Sequence, residues 1–139
     1  MPTKVDCLLD TNILVYAALG REAEERKRAK AAELMRATHF GLSAQVLQEF
    51  YTVVIRKPDR PLTPARALQW LLKLEQQPCA AVDMPLIKVA IEISWRYRIS
   101  YWDGAILAAA ERLGAEVLYT EDLNHGQAYG SVRVVNPFI

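Results

Sequence analysis

The chain has 139 residues, 17 Lys plus Arg against 16 Asp plus Glu, and 52% apolar side chains. That length suits one domain spanning residues 1–139, and the apolar content, with Trp 3, Tyr 6 and Phe 3, excludes a disordered chain. A net charge of +1 excludes a histone-like binder that works by bulk charge, while leaving room for a local basic groove.

In chain order, Val5 to Leu9 is a short apolar run and reads as a buried strand. Asp10-Thr11-Asn12 breaks it, and Ile13 to Leu19 forms a short helix. Glu22 to Arg36 is charged and Ala-rich, a helix by propensity. Phe40 to Leu42 is a brief strand, after which Ser43 caps a helix over Ala44 to Ile55. Lys57 to Pro61 is a loop. Thr63-Pro64 has the form of an N-cap followed by proline at the first helical position, opening a helix to about Gln76. Ala80 to Val82 is a strand, and Asp83 caps a helix to about Tyr97. Trp102 to Leu113 is helical, with Gly114 placed to end it. Glu116 to Tyr119 and Val132 to Val135 are the last strands. Strands alternating with helices predict a three-layer α/β/α sandwich around a mostly parallel sheet.

Several chemistries are excluded along the way. Cys7 and Cys79 form no C-x-x-C pair and have no His cluster near them, so they read as buried thiols, not zinc ligands. No Gly-x-Ser-x-Gly elbow, dinucleotide fingerprint or Walker A loop occurs. His39 and His125 are the only histidines, and His125 reads as a surface-loop residue. No leader or membrane-length apolar run is present, so the expected setting is a reducing cytoplasm, with no membrane partner.

In open α/β sheets ligands bind beyond the carboxyl ends of the strands. Asp10 and Asp122 both follow such ends. Glu49 sits at the edge of the stripe made by Val46, Leu47, Phe50 and Val54, from where it can reach over the rim. Asp103 heads a helix that is apolar throughout Gly104 to Ala110, an expensive place for a carboxylate without compensation. Carboxylates gathered at one rim repel one another, and hard cations such as Mg²⁺ or Mn²⁺ relieve that repulsion. An ion so held can clamp a phosphodiester for in-line attack by water. Asn12 and Thr120 add neutral polar atoms near the same rim.

Four stretches, in this order, carry a family resemblance: Leu8 to Tyr16, Ser43 to Phe50, Ser100 to Ala110 and Leu118 to Leu123. Together they resemble the PIN domain family, and within it the VapC-like ribonuclease toxins. The resemblance implies that Asp10, Glu49, Asp103 and Asp122 bind Mg²⁺ or Mn²⁺ and carry catalysis. It puts Asn12, Ser43 and Thr120 at supporting polar positions. It further implies an endoribonuclease leaving 5′-phosphate and 3′-hydroxyl ends, a homodimer, and a small antitoxin that blocks the acidic site. Many relatives carry another acid shortly after the position of Asp122, where this chain has Asn124. Glu121 is expected to point away from the site.

The basic residues fall into two groups. Arg21 to Lys30 is interleaved with acids and reads as a solvated face with Glu24–Arg28 pairing. Arg56, Lys57 and Arg60 have only Asp59 for company and are candidates for RNA phosphate contacts. Trp102 reads as a packing residue. Two other functions fit an α/β chain with acids at strand ends. One is a PIN fold that binds RNA without cutting it. The other is a receiver-like phosphotransfer domain, against which stand the distance of Asp6 from Asp10 and the lack of any lysine after Lys88.

Overall fold

A computed structural model describes residues 4–139. The N-terminal apolar run supplies β1 (Cys7–Leu9), with all three residues buried. It is followed by α1 (Thr11–Leu19), a 3₁₀ turn at Glu22–Glu24 and α2 (Glu25–Ala37). Next come β2 (Phe40–Ser43), α3 (Ala44–Val54), α4 (Pro64–Leu74), β3 (Cys79–Ala80), α5 (Met84–Tyr97) and α6 (Tyr101–Arg112). The chain closes with β4 (Val117–Tyr119), β5 (Ala128–Tyr129) and β6 (Val132–Val135).

The strands form one six-stranded sheet in the order β3-β2-β1-β4-β6-β5. All pairings are parallel except β5 with β6. The sheet lies between helical layers, as a three-layer α/β/α sandwich. The chain winds outward from β1 through β2 to β3, then returns to the other side of β1 as β4. The β1–β4 boundary is therefore the topological switch point, where open α/β sheets bind their ligands.

Local chemistry explains the element ends. Ser43, Thr63, Asp83 and Ser100 each accept a hydrogen bond from an N–H in the first turn of the helix they precede. Gly114, at φ +71, ends α6 in the left-handed region that only glycine enters without cost. Helix α6 is buried over Gly104 to Ala110, as the small-residue run predicts. It packs closely on α5: a Cβ at Gly104 would stand 2.5 Å from the Ala90 carbonyl oxygen.

Several expectations are corrected. Thr11 and Asn12 are helical, because Asp10 caps α1 and the break is absorbed into the first turn. The segment from Glu22 is not one helix; a 3₁₀ turn precedes α2, with Glu22 at φ 52. Arg28 pairs with Glu25 at i,i+3, not with Glu24, which lies outside the helix that would align it. Cys7 is buried as expected, but Cys79 is exposed on the edge strand. Trp102, expected to pack, is 65% exposed, and its ring meets that of Tyr101 edge to face. Strand β5 was not foreseen.

Candidate active site

Asp10 leaves the end of β1 and caps α1 in extended conformation, φ −78 and ψ 166. Its Oδ1 accepts the Thr11 N–H at 2.7 Å and its Oδ2 accepts the Thr120 hydroxyl at 2.7 Å. Thr120, fully buried just past β4, ties the two strand ends together. Its Oγ1 accepts the Asp122 N–H at 3.1 Å and the Asn12 amide at 3.4 Å. The Asn12 Nδ2 also donates to Asp122 Oδ2 at 3.1 Å. Asp10, Asn12, Thr120 and Asp122 thus form one hydrogen-bonded group across the switch point.

Glu49 reaches the same place from α3. Ser43 spends its buried hydroxyl on the Val46 N–H at 3.1 Å, which starts that helix at the end of β2. Val46, Phe50 and Val54 face the core, leaving Glu49 on the exposed side, where its Oε1 accepts from Gln45 Nε2 at 3.2 Å. A cavity of about 980 Å³ opens over this rim, and Asp10, Glu49 and Asp122 all line it.

The electrostatics record the crowding. Burial is the main reason that the Asp10 carboxyl is pushed up from 3.8 to about 6. The hydrogen bonds from Thr120 and Thr11 oppose the shift, and the negative charges of Asp122 and Glu49 add to it.

Asp103 stands apart from these three. It is half-buried in the first turn of α6, where its N–H donates to Ser100 Oγ at 3.0 Å. It does not line the cavity. Its charge is felt instead at Tyr129, whose hydroxyl is pushed up first by burial and then by Asp103. The basic loop also divides. Lys57 and Arg60 line the acid cavity, whereas Arg56 lines only an adjoining depression, with Thr52 and again Lys57. His125 is exposed, and its Nδ1 accepts the Asn136 N–H at 2.9 Å.

The donor set suits a hard divalent cation. The available atoms are mostly oxygens, the Asp10 carboxyl is raised chiefly by burial and further by the charges of Asp122 and Glu49, and Thr11 Oγ1 and Asn12 Oδ1 are buried without a partner among the described residues. Among those residues no three His, Cys, Asp or Glu side chains stand close enough to enclose an ion. The fit is therefore to a hydrated ion held by one or two carboxylates, the ordinary mode for Mg²⁺.

Sequence reasoning missed a second polar group on this cavity. Glu121 lines it beside Asp122, with its carboxylate directed to Tyr16 and Lys27 and away from Asp10. Lys27 and Glu121 lie 94 positions apart, so no local spacing signals their pairing.

Solved structures with the same fold include a toxin–antitoxin complex from Klebsiella pneumoniae, at TM-score 0.71 and 19% identity over 94% of this chain and 97% of that one. VapC20 from Mycobacterium tuberculosis, a sarcin–ricin-loop-cleaving toxin, aligns at TM-score 0.63 and 19% identity over 84% and 89%. FitAcB from Neisseria gonorrhoeae aligns at TM-score 0.62 and 23% identity over 95% and 98%. No curated protein matches the sequence. The PIN domain family model matches residues 7–130, and the chain belongs to the PIN domain family.

Proposed function

We propose that this chain is a Mg²⁺- or Mn²⁺-dependent endoribonuclease, acting as one domain in the cytoplasm and serving as the toxin of a VapBC-like pair. The observation that carries the reading is the convergence of Asp10, Glu49 and Asp122 on one cavity, with the Asp10 carboxyl raised by burial and by the other two acids. Pure binding of a polyanion has no use for clustered carboxylates. A toxin–antitoxin complex among the structural neighbours favours an antitoxin partner, and the homodimer is proposed on the family resemblance alone.

Asp10 and Asp122 would hold the cation, with Glu49 on the same cavity wall; Asp103, outside that cavity, joins the acid set on the family resemblance. A hard divalent cation supplies Lewis-acid charge to a phosphodiester and makes water acidic enough to attack it. Thr120 and Asn12 orient Asp10 and Asp122 through the hydrogen bonds described. Ser43 sets the start of α3 and hence the reach of Glu49. Lys57 and Arg60 offer positive charge to flanking phosphates on the cavity wall. Arg56 contributes from the neighbouring depression.

A mixed RNA pool incubated with Mn²⁺ and with EDTA tests the activity. Cleavage with Mn²⁺ that EDTA stops is expected; intact RNA under both conditions removes the nuclease reading. Replacing Arg56, Lys57 and Arg60 with Ala should weaken RNA binding and flatten its salt dependence, with Lys57 and Arg60 accounting for most of the change. An unaltered salt slope takes this loop off the substrate path. A second reading, RNA binding without cleavage, draws on the separation of Asp103 from the other acids. It predicts Mn²⁺-independent RNA binding that Asp10→Asn leaves unchanged.

A further inference from the structure

Glu121 is an extra carboxylate on the wall of the acid cavity, adjacent in sequence to Asp122. It is only 24% exposed at its side chain, and its two oxygens are both engaged. Oε1 accepts the Tyr16 hydroxyl at 2.6 Å, and Oε2 pairs with Lys27 Nζ at 2.9 Å. Lys27 also donates to the Tyr16 hydroxyl at 3.1 Å. The ammonium is itself seated on two rings, 4.8 Å from the centroid of Tyr16 and 5.3 Å from that of Phe138. Those rings meet edge to face at 5.1 Å, and the Phe138 carbonyl is held by Arg26 Nη2 at 2.9 Å. A cation fixed by two aromatic faces and two oxygens is a rigid partner for a carboxylate.

We propose that Lys27, seated by Tyr16 and Phe138, is a charge-compensating and positioning residue for the active site: it holds Glu121 back from the acid group and cancels its charge toward an approaching phosphodiester. The inference rests on the nuclease reading given above. The physical need is plain. The cavity already gathers Asp10, Glu49 and Asp122, with Glu22, Glu24 and Asp59 also on its wall, against the cations Arg21, Lys57 and Arg60. One more free carboxylate there would attract a divalent ion and repel RNA. Lys27 itself does not line the cavity, so it acts through Glu121 and not by touching substrate.

Two affinities, measured separately, test this. One is for Mn²⁺ in the absence of RNA, and the other is for a short single-stranded oligouridine in EDTA, where no cleavage occurs. Lys27→Met should tighten Mn²⁺ binding and weaken oligouridine binding, each by about threefold to tenfold, the scale of one nearby surface charge. Adding Glu121→Gln should reverse both changes, since the amide side chain keeps an acceptor for Tyr16 without the charge. Lys27→Arg should stay near wild type. A purely structural role for Lys27 predicts that both affinities fall together and that Glu121→Gln restores neither; either result overturns the inference. Wild-type protein that binds Mn²⁺ but no RNA removes the ribonuclease reading and leaves the Mn²⁺ comparison to decide the role of Lys27. If RNA alone is bound, the metal-dependent reading falls and the direction of the oligouridine change decides. If neither is bound, both proposals fail.

Discussion

Helices α1 and α6 each begin beside a carboxylate of the expected acid set, and the two sites are built differently. At α1, Asp10 is the cap itself; half-buried like Asp103, it is clamped by Thr120 at the end of β4 and shares its cavity with Glu49 and Asp122. At α6, Ser100 is the cap, and Asp103 sits one turn in, half-buried and outside that cavity. Both acids look alike in sequence, each at the head of an apolar helix. The difference shows that position at a helix head does not by itself bring an acid to the site: Asp10 stands at the switch point and shares its cavity with Asp122 and the α3 residue Glu49, whereas Asp103 lies outside that cavity.

The largest expected effect breaks that asymmetry at Asp10. Asp10→Asn should abolish Mn²⁺-dependent cleavage yet stabilise the metal-free protein at pH 7 to 8 by about 3 kcal/mol. The sign follows from the raised carboxyl, about 6 when folded against 3.8 ordinarily. The native state holds that proton longer than the unfolded chain does, so wild-type stability falls as pH rises from about 4 to about 6. The gap between variant and wild type should close below pH 4. Thermal or urea unfolding across this range, with EDTA, measures it, and a gap independent of pH would place the strain elsewhere.

Thr120→Val removes the hydroxyl that bridges β1 and β4 while keeping the shape. A loss of about 2 kcal/mol is expected, because an acid loses a donor and the Asp122 N–H and Asn12 amide lose an acceptor. Urea midpoints report it. On the other side of the comparison, Gly104→Ala tests the seat of α6. The new Cβ meets the Ala90 carbonyl, and a cost of about 1–2 kcal/mol should appear in the same assay. Smallest in stability is Asp103→Asn, expected within about 1 kcal/mol of wild type while cleavage is lost. If Asp103→Asn stabilised the metal-free protein as much as Asp10→Asn, the two acids would share one field after all.

Much of this was legible along the chain. Helix starts were marked by Ser43, Thr63 and Asp83, whose side chains can satisfy first-turn N–H groups wherever the helix goes. The burial of α6 followed from a run of small apolar residues with no polar face. What escaped was set by partners distant in sequence. β5 is two residues long, too short for any alternation, and exists because β6 offers it an edge. Trp102 is exposed because the helix face it occupies is not covered by another element, which no local spacing signals. Glu121 was expected to face away from the site; it does turn from Asp10, yet remains on the cavity wall because Tyr16 and Lys27 hold it there.

The order of the helices and of every strand but β5, most of the caps and the acids at strand ends belong to the sequence alone, since they depend on local hydrogen bonding and on burial periodicity. Only the folded chain decided which acids share a cavity, which base answers which acid, and which aromatic meets solvent. Those choices depend on Coulomb and packing energies between groups that the backbone brings together from opposite ends, and no spacing within a single segment encodes them.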